Sequence, residues 1–123
     1  MMASVRRQNT TPELALRRAL QLAGLRGYRV HRRDIPGSPD IAWVGRRLAV
    51  FVDGAFWHGH PSAFTPGKSG AFWDRKIGSN IERDRRVDIE LSDAGWTVLR
   101  FWDFEVEADV SACVNAVKTA LAR

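Results

Sequence analysis

The sequence predicts an α/β fold: a mixed β-sheet with helices packed on its faces, in the order α-β-β-β-α-β-α. Three observations lead there. Short apolar runs bounded by turn residues alternate with longer stretches of helical periodicity. The second and third runs are separated only by Gly45-Arg46-Arg47, short enough for an antiparallel hairpin. The third and fourth are separated by a helical stretch, which makes that pair a parallel crossover. At 123 residues the chain allows one compact domain over 1–123 and no second core of comparable size.

Each element has its own signal. Thr11-Pro12-Glu13 reads as an N-cap, a proline at the first helical position and an acid in the first turn. Leu14, Leu16, Ala19, Leu20 and Ala23 supply the apolar stripe, and Gly24 closes that helix. Tyr28–His31 alternates as a short strand does. Pro36-Gly37-Ser38-Pro39 breaks the chain before the strand Asp40–Val44, and Leu48–Asp53 is a mostly buried strand. Residues 54–70, rich in Gly, Pro and His, form a long loop of the kind that carries function. A helix follows over 72–93, with a break expected near Gly78, and Gly95 ends it. Residues 96–102 make the fourth strand, and Val110, Val114, Val117 and Leu121 mark a closing amphipathic helix.

Composition narrows the class. Hydrophobic residues at 45% and charged ones at 27% are ordinary globular usage. The single cysteine, Cys113, rules out an internal disulfide and a cysteine-rich zinc site. No apolar run approaches the ~20 residues that span a bilayer, and the start MMASVRRQNTTPE lacks a secretory apolar region, so a cytoplasmic protein is expected. Lys and Arg total 19 against 14 acids, and 16 of the 19 are arginine. Residues 1–80 carry +8 and residues 81–123 carry −3, which suggests a basic face meant for a polyanion. A GC-rich genome gives the same arginine bias without that meaning.

The chemistry-bearing residues gather between the second strand and the long helix. Asp40 opens one strand of the hairpin and Asp53 ends the next, so residue 40 faces some position from 51 to 53. Two converging carboxylates repel unless they share a cation, and hard oxygen ligands suit Mg²⁺. The competing reading is turn chemistry at each aspartate. His58 and His60 follow in a Gly-rich loop. A histidine beside a metal-bound phosphate can take or give a proton near neutral pH, and a His-x-His pair can also chelate a metal. His31, between Val30 and Arg32-Arg33, reads as a solvated basic strand end. Phe56, Trp57 and Trp73, interleaved with Arg75 and Lys76, fit stacking on or wedging between bases. Core packing is the equal alternative for Trp57 and Trp73, and the expected role of Trp43, Trp96 and Trp102.

Five segments together resemble a known family: Asn9–Glu13, Pro36–Asp40, Phe51–His60, Phe72–Ile77 with Asn80 and Glu82-Arg83-Asp84-Arg85-Arg86, and Gly95–Leu99. They are collinear with the very short patch repair (Vsr) endonucleases from about residue 9 to 105. The resemblance implies a restriction-endonuclease-like core and nicking of DNA 5′ to the T of a T·G mismatch with Mg²⁺. It implies that Asp40 binds metal, that His58 is the catalytic histidine, and that Glu13 supports the metal and its water. Phe56, Trp57 and Trp73 match aromatics that wedge into DNA. Val52 stands where the family has a threonine, with a backbone carbonyl still able to bind metal, and Asp53 stands where it has a histidine. His60 matches the histidine of a structural zinc site whose cysteine positions are Ala55, Ser62 and Phe104 here, so no structural zinc is expected.

The sequence therefore predicts a Mg²⁺-dependent DNA endonuclease, with Mn²⁺ as a substitute ion, acting on mismatched or distorted duplex. Its candidate catalytic residues are Asp40, Asp53, His58 and Glu13, with Asp40, Asp53 and the Val52 carbonyl as metal ligands. Phe56, Trp57, Trp73, Arg75, Lys76, Arg83 and His60 are the candidate DNA contacts, and a recruiting repair or defence protein is a candidate partner. Two rival readings are a sequence-tolerant nuclease of a defence or mobile-element system and a DNA-binding module that has lost catalysis.

Overall fold

The computed structural model describes residues 8–123. The expected lack of a secretory leader falls largely on residues 1–7, as do Arg6 and Arg7, outside the described residues. Helix α1 (Thr11–Leu22) starts one residue earlier than its sequence suggests. Thr10, not Thr11, has the extended backbone of a cap, and its hydroxyl accepts from the Glu13 N–H at 3.3 Å. The buried face of α1 is Pro12, Glu13, Leu16 and Leu20, while Leu14 points outward. A carboxylate thus sits in the apolar stripe, which is the first sign that α1 serves more than packing.

Strands β1 (Arg29–Val30), β2 (Ile41–Trp43) and β3 (Leu48–Asp53) follow, with a 3-10 turn over Val44–Arg46 and a left-handed Arg47 joining the hairpin. Helix α2 (Ala71–Asp93) runs unbroken through Gly78. A mid-helix glycine costs only about 1 kcal/mol, and buried Ile77 and Asn80 on either side hold the helix down. Strand β4 (Thr97–Trp102) leads into a short helix, α3 (Asp103–Ala108), which the sequence reading lacks. Its one core residue is Val106, too little to register as periodicity. Helix α4 (Val110–Leu121) closes the chain, so the order is α-β-β-β-α-β-α-α.

The sheet has the order β1-β2-β3-β4, antiparallel at its first two pairings and parallel between β3 and β4, as the crossover argument requires. Side chains of β3 alternate between its two faces. Leu48 and Val50 join Leu16, Leu20, Phe101, Val106, Val114 and Val117 in a core beneath α1, α3 and α4. Ala49 and Phe51 join Ile35, Val87 and Leu91 beneath α2. Helices therefore cover both faces, and the C-terminal end of β3 opens between them. No described helix is long and apolar enough to cross a membrane.

Candidate active site

The end of β3 is open because β2 begins only at Ile41, which pairs with Val50. Beyond that pairing the Val52 N–H has no strand partner on this side and donates instead to Asp40 Oδ2 at 2.7 Å. In an extended strand a residue's N–H and C=O point to the same edge, so the Val52 carbonyl faces the Asp40 side as well. Asp40 has no ion pair among the described residues. Burial pushes its carboxyl up to about 7, against the Val52 hydrogen bond that lowers it, and Glu13 and Asp53 add like-charge repulsion.

Glu13 approaches Asp40 from α1. It is 1% exposed and fully held: Oε1 accepts from Asn9 N–H at 3.0 Å, and Oε2 meets Arg17 at 3.2 Å and His31 Nε2 at 2.7 Å. His31 is therefore not the solvated strand end its neighbours suggest. A positive φ of 51° turns it away from the strand and onto Glu13, which nothing in the sequence signals. Glu13, His31 and Asp40 offer ligand atoms within 4.8 Å of one another.

A second group forms on the α2 face. Asp53 lies there by alternation with Phe51 and is 5% exposed. Its oxygens sit 3.2 and 3.0 Å from Arg100 Nη1, and His58 Nε2 is 3.8 Å away. His58 Nδ1 meets Asp84 Oδ2 at 2.5 Å; a carboxylate only accepts, so Nδ1 carries the proton in this bond and Nε2 is left for chemistry. Burial alone lowers the affinity of His58 for a proton, but the Asp84 hydrogen bond and the charges of Asp53 and Asp84 outweigh it and raise its pKa above the usual value. Burial raises Asp53 too, against the opposing pull of His58 and Arg100. Asp53, His58 and Asp84 are the second set of atoms within 4.8 Å. The two aspartates of the hairpin thus belong to different clusters, one on each side of the β3 end. Asp84 and Arg100 complete the site. Asp84 stands inside the Glu82–Arg86 block already singled out, whereas nothing in the sequence around Arg100 names its partners until β4 pairs with β3.

A cleft of about 1090 Å³ joins the two clusters, and Trp57, Phe72, Trp73, Lys76, Asn80 and Arg83 line its α2 side. The spacing 73, 76, 80, 83 is one helical face. Arg75, expected among the DNA contacts, lies off that face and outside the cleft lining. Phe56, Trp57, Phe64, Phe72 and Trp73 form an edge-to-face chain with centroids 5.1–5.9 Å apart, and Phe72 stays 62% exposed. Trp57 and Trp73 are half-buried in this aromatic wall, outside both cores. The buried Asn80 amide donates to the Trp57 carbonyl at 2.9 Å and ties the loop to α2.

Comparison with known proteins gives this geometry its family. The family model described as DNA mismatch endonuclease Vsr matches residues 1–63, just over half of the chain. The chain is 43% identical over 123 residues to the type II nicking enzyme V.XorIIP of Xanthomonas oryzae pv. oryzae (strain KACC10331 / KXO85), covering 98% of this chain and 89% of that one. The chain belongs to the Vsr endonuclease family. Among other Vsr relatives, it is 41% identical to the type II nicking enzyme V.NmeDIP of Neisseria meningitidis serogroup C over 98% of this chain and 82% of that one. It is 36% identical to the DNA mismatch endonuclease Vsr of Escherichia coli (strain K12) over 83% and 66%. The mixed sheet between helical layers is the restriction-endonuclease-like architecture expected of a Vsr protein.

The corner that corresponds to the expected Vsr zinc site has a different chemistry here. His60 N–H donates to the Ala55 carbonyl at 2.8 Å, and His60 Nδ1 meets Ser62 Oγ at 2.9 Å. The His60 ring lies edge-on to Trp102 and Phe104, with centroids 4.7 and 4.9 Å away. One imidazole, one hydroxyl, a methyl and a phenyl ring do not fit a tetrahedral zinc site, which needs thiolate or imidazole donors. Cys113 is buried in α4. Trp102, expected in the core, belongs to this aromatic corner, whereas Trp43 is buried and Trp96 packs beneath α2. His60 lies outside the cleft lining.

Proposed function

We propose that this protein is a Mg²⁺-dependent endonuclease that nicks mismatched, T·G-type, or otherwise distorted duplex DNA, in the cytoplasm and on nucleoid DNA. One observation carries the reading: a half-buried carboxylate with no ion pair among the described residues, Asp40, shares a cleft with a carboxylate-backed imidazole, His58. The donor set beside Asp40 fits a hard divalent ion, with one free carboxylate oxygen, the Val52 carbonyl on the same edge and room for water and phosphate oxygens. When bound, such an ion stabilises charge that develops on the scissile phosphate and its leaving oxygen.

The chain's own residues do the rest. Asp40 holds the ion, and its hydrogen bond to the Val52 N–H fixes the carboxylate. Glu13, clamped by Asn9, Arg17 and His31, orients water next to it. His58 Nε2 moves a proton at the attacking water or the leaving oxygen, with Asp84 keeping the tautomer. Lys76 and Arg83 hold phosphates along one side of the cleft, and the aromatic wall around Trp57 and Trp73 wedges into the opened base step. The names of the Xanthomonas and Escherichia relatives, a nicking enzyme and a mismatch endonuclease, support the same reading.

The test is cleavage of end-labelled matched and T·G-mismatched duplexes with Mg²⁺, Mn²⁺ or EDTA, alongside Asp40→Asn. The expected result is a metal-dependent nick at the mismatch, reduced at least about a hundredfold in Asp40→Asn with duplex binding retained. Equal cutting of matched duplex would move the protein to the sequence-tolerant class. Binding without cutting in any metal would mean that chemistry is lost or waits for a recruiting repair or defence protein. Full activity of Asp40→Asn would remove Asp40 from the mechanism.

A further inference from the structure

The two clusters at the end of β3 look alike by ligand count, yet in only one does an arginine pair with two of the three members. Arg100 projects from β4, where it is paired in register with Phe51, so its position is set by the sheet. Nη1 lies 3.0 Å from Asp53 Oδ2 and 3.9 Å from Asp84 Oδ1, and Nη2 lies 2.8 Å from Asp88 Oδ1. Nε donates to the same Asp88 oxygen at 2.9 Å. The guanidinium carbon stands 4.1 Å over the Phe51 ring, which closes off its remaining face. A guanidinium in this setting keeps its charge at any pH a protein survives. Asp40 and Glu13 have no such group between them: Arg17, one turn along α1, pairs with Glu13 and not with Asp40, and Asp40 forms no ion pair among the described residues.

We propose that Arg100 is the resident cation of the Asp53–His58–Asp84 cluster, and that divalent ions are therefore held on the Asp40 side of β3 alone. The proposal rests on the metal-dependent reading above and refines it, because Asp53 then acts with Arg100 in orienting His58 and is not a metal ligand. Both Asp53 oxygens face the guanidinium, so an ion entering the cluster would have to displace it against charge repulsion, with Phe51 and Asp88 holding it in place. The same three side chains without Arg100 are two carboxylates and an imidazole, a set that suits Mn²⁺ better than Mg²⁺. Arg100 thus excludes a competing ion from the group that must keep its Nε2 free.

The experiment counts Mn²⁺ bound to the full chain by electron paramagnetic resonance and calorimetry. In the wild-type protein the bound Mn²⁺ is expected to disappear in Asp40→Asn and to remain in Asp84→Asn. Arg100→Met, which keeps an unbranched chain over Phe51 but removes the charge, is expected to gain one further Mn²⁺ per chain. Adding Asp84→Asn to that variant is expected to remove the gain. A folded Arg100→Met with no added ion overturns the proposal, and so does loss of bound Mn²⁺ on Asp84→Asn alone, an arm that does not require the arginine variant to fold. Wild-type Mn²⁺ that survives Asp40→Asn would instead overturn the assignment of the metal to Asp40, while the gain in Arg100→Met still reports on the arginine.

Discussion

Asp40 and Asp53 are the same residue type in one hairpin, and their surroundings differ. Asp53 has Arg100 paired with it and His58 beside it, whereas Asp40 has a backbone N–H, two other acids and the imidazoles of His31 and His58 nearby but no arginine paired with it among the described residues. Burial without a cation raises Asp40 to about 7 from an ordinary carboxylate value. The folded state then holds a proton that the unfolded chain releases, so the contribution of Asp40 to metal-free stability should fall as pH rises from about 4 to about 7 and level off above. Asp53 and His58 are raised too and act in the same direction. A divalent ion competes with the proton on Asp40, so Mn²⁺ affinity should weaken by up to about tenfold per pH unit below 7 and flatten above. Titrations across this range check it, and Asp40→Asn should lose the tight binding at every pH. A pH-independent affinity in the wild type would contradict the environment assigned to Asp40.

At the scale of elements, the loop over residues 54–70 has to deliver both His58 and the aromatic wall to a helix it does not belong to. Its turn at Gly59 makes this possible. Gly59 has φ +74°, and a Cβ there would lie 2.5 Å from Ile81 Cδ1 and 3.1 Å from Ile77 Cγ2 of α2. Gly59→Ala combines left-handed strain with a clash against α2 and is expected to cost about 1–3 kcal/mol, read by thermal unfolding. It should also slow nicking below the unfolding temperature, because His58 is the adjacent residue. Unchanged stability and rate would mean that the loop is free to move off α2. Helix α2 in turn explains why only some cations of this region face the cleft: Lys76 and Arg83 share the face of Trp73 and Asn80, and Arg75 does not.

For the molecule as a whole, the site lies where three layers end together. Helix α1 brings Glu13 from one face of the sheet, α2 brings Asp84 from the other, and β2, β3 and β4 bring Asp40, Asp53 and Arg100 between them. Under the proposed function, the aromatic wall and the cations give the cleft a direction for DNA, with a stacking end at Trp57 and Trp73. Trp57→Ala should weaken binding to a mismatched duplex by about 1–3 kcal/mol, roughly 5- to 150-fold, and binding to matched duplex much less. Paired measurements at one salt concentration decide the matter, since phosphate contacts weaken with salt for both duplexes alike. Equal losses on the two would assign Trp57 to packing.

Elements with strong local signals are legible along the chain: the apolar run of β3, the stripes of α1 and α4, the hairpin at 45–47 and the parallel crossover. The sequence also singled out Asp40, His58 and the aromatic residues by type and spacing and Glu13 by family resemblance, and the structure places Asp40, Glu13 and His58 in the two clusters at the end of β3. It missed what depends on partners distant along the chain. His31 reads as a solvated strand end until a left-handed backbone turns it onto Glu13, 18 residues away. The partners of Arg100 are set only when parallel pairing puts it opposite Phe51 and against Asp53, 47 residues earlier. The period-2 alternation of β3 was legible, but which helix covers each face was not, and that choice separates Asp53 from Asp40. Local pattern follows from backbone geometry and can be read along the chain; the environment of a charge is set by whatever the fold packs beside it, which no local stretch of sequence contains.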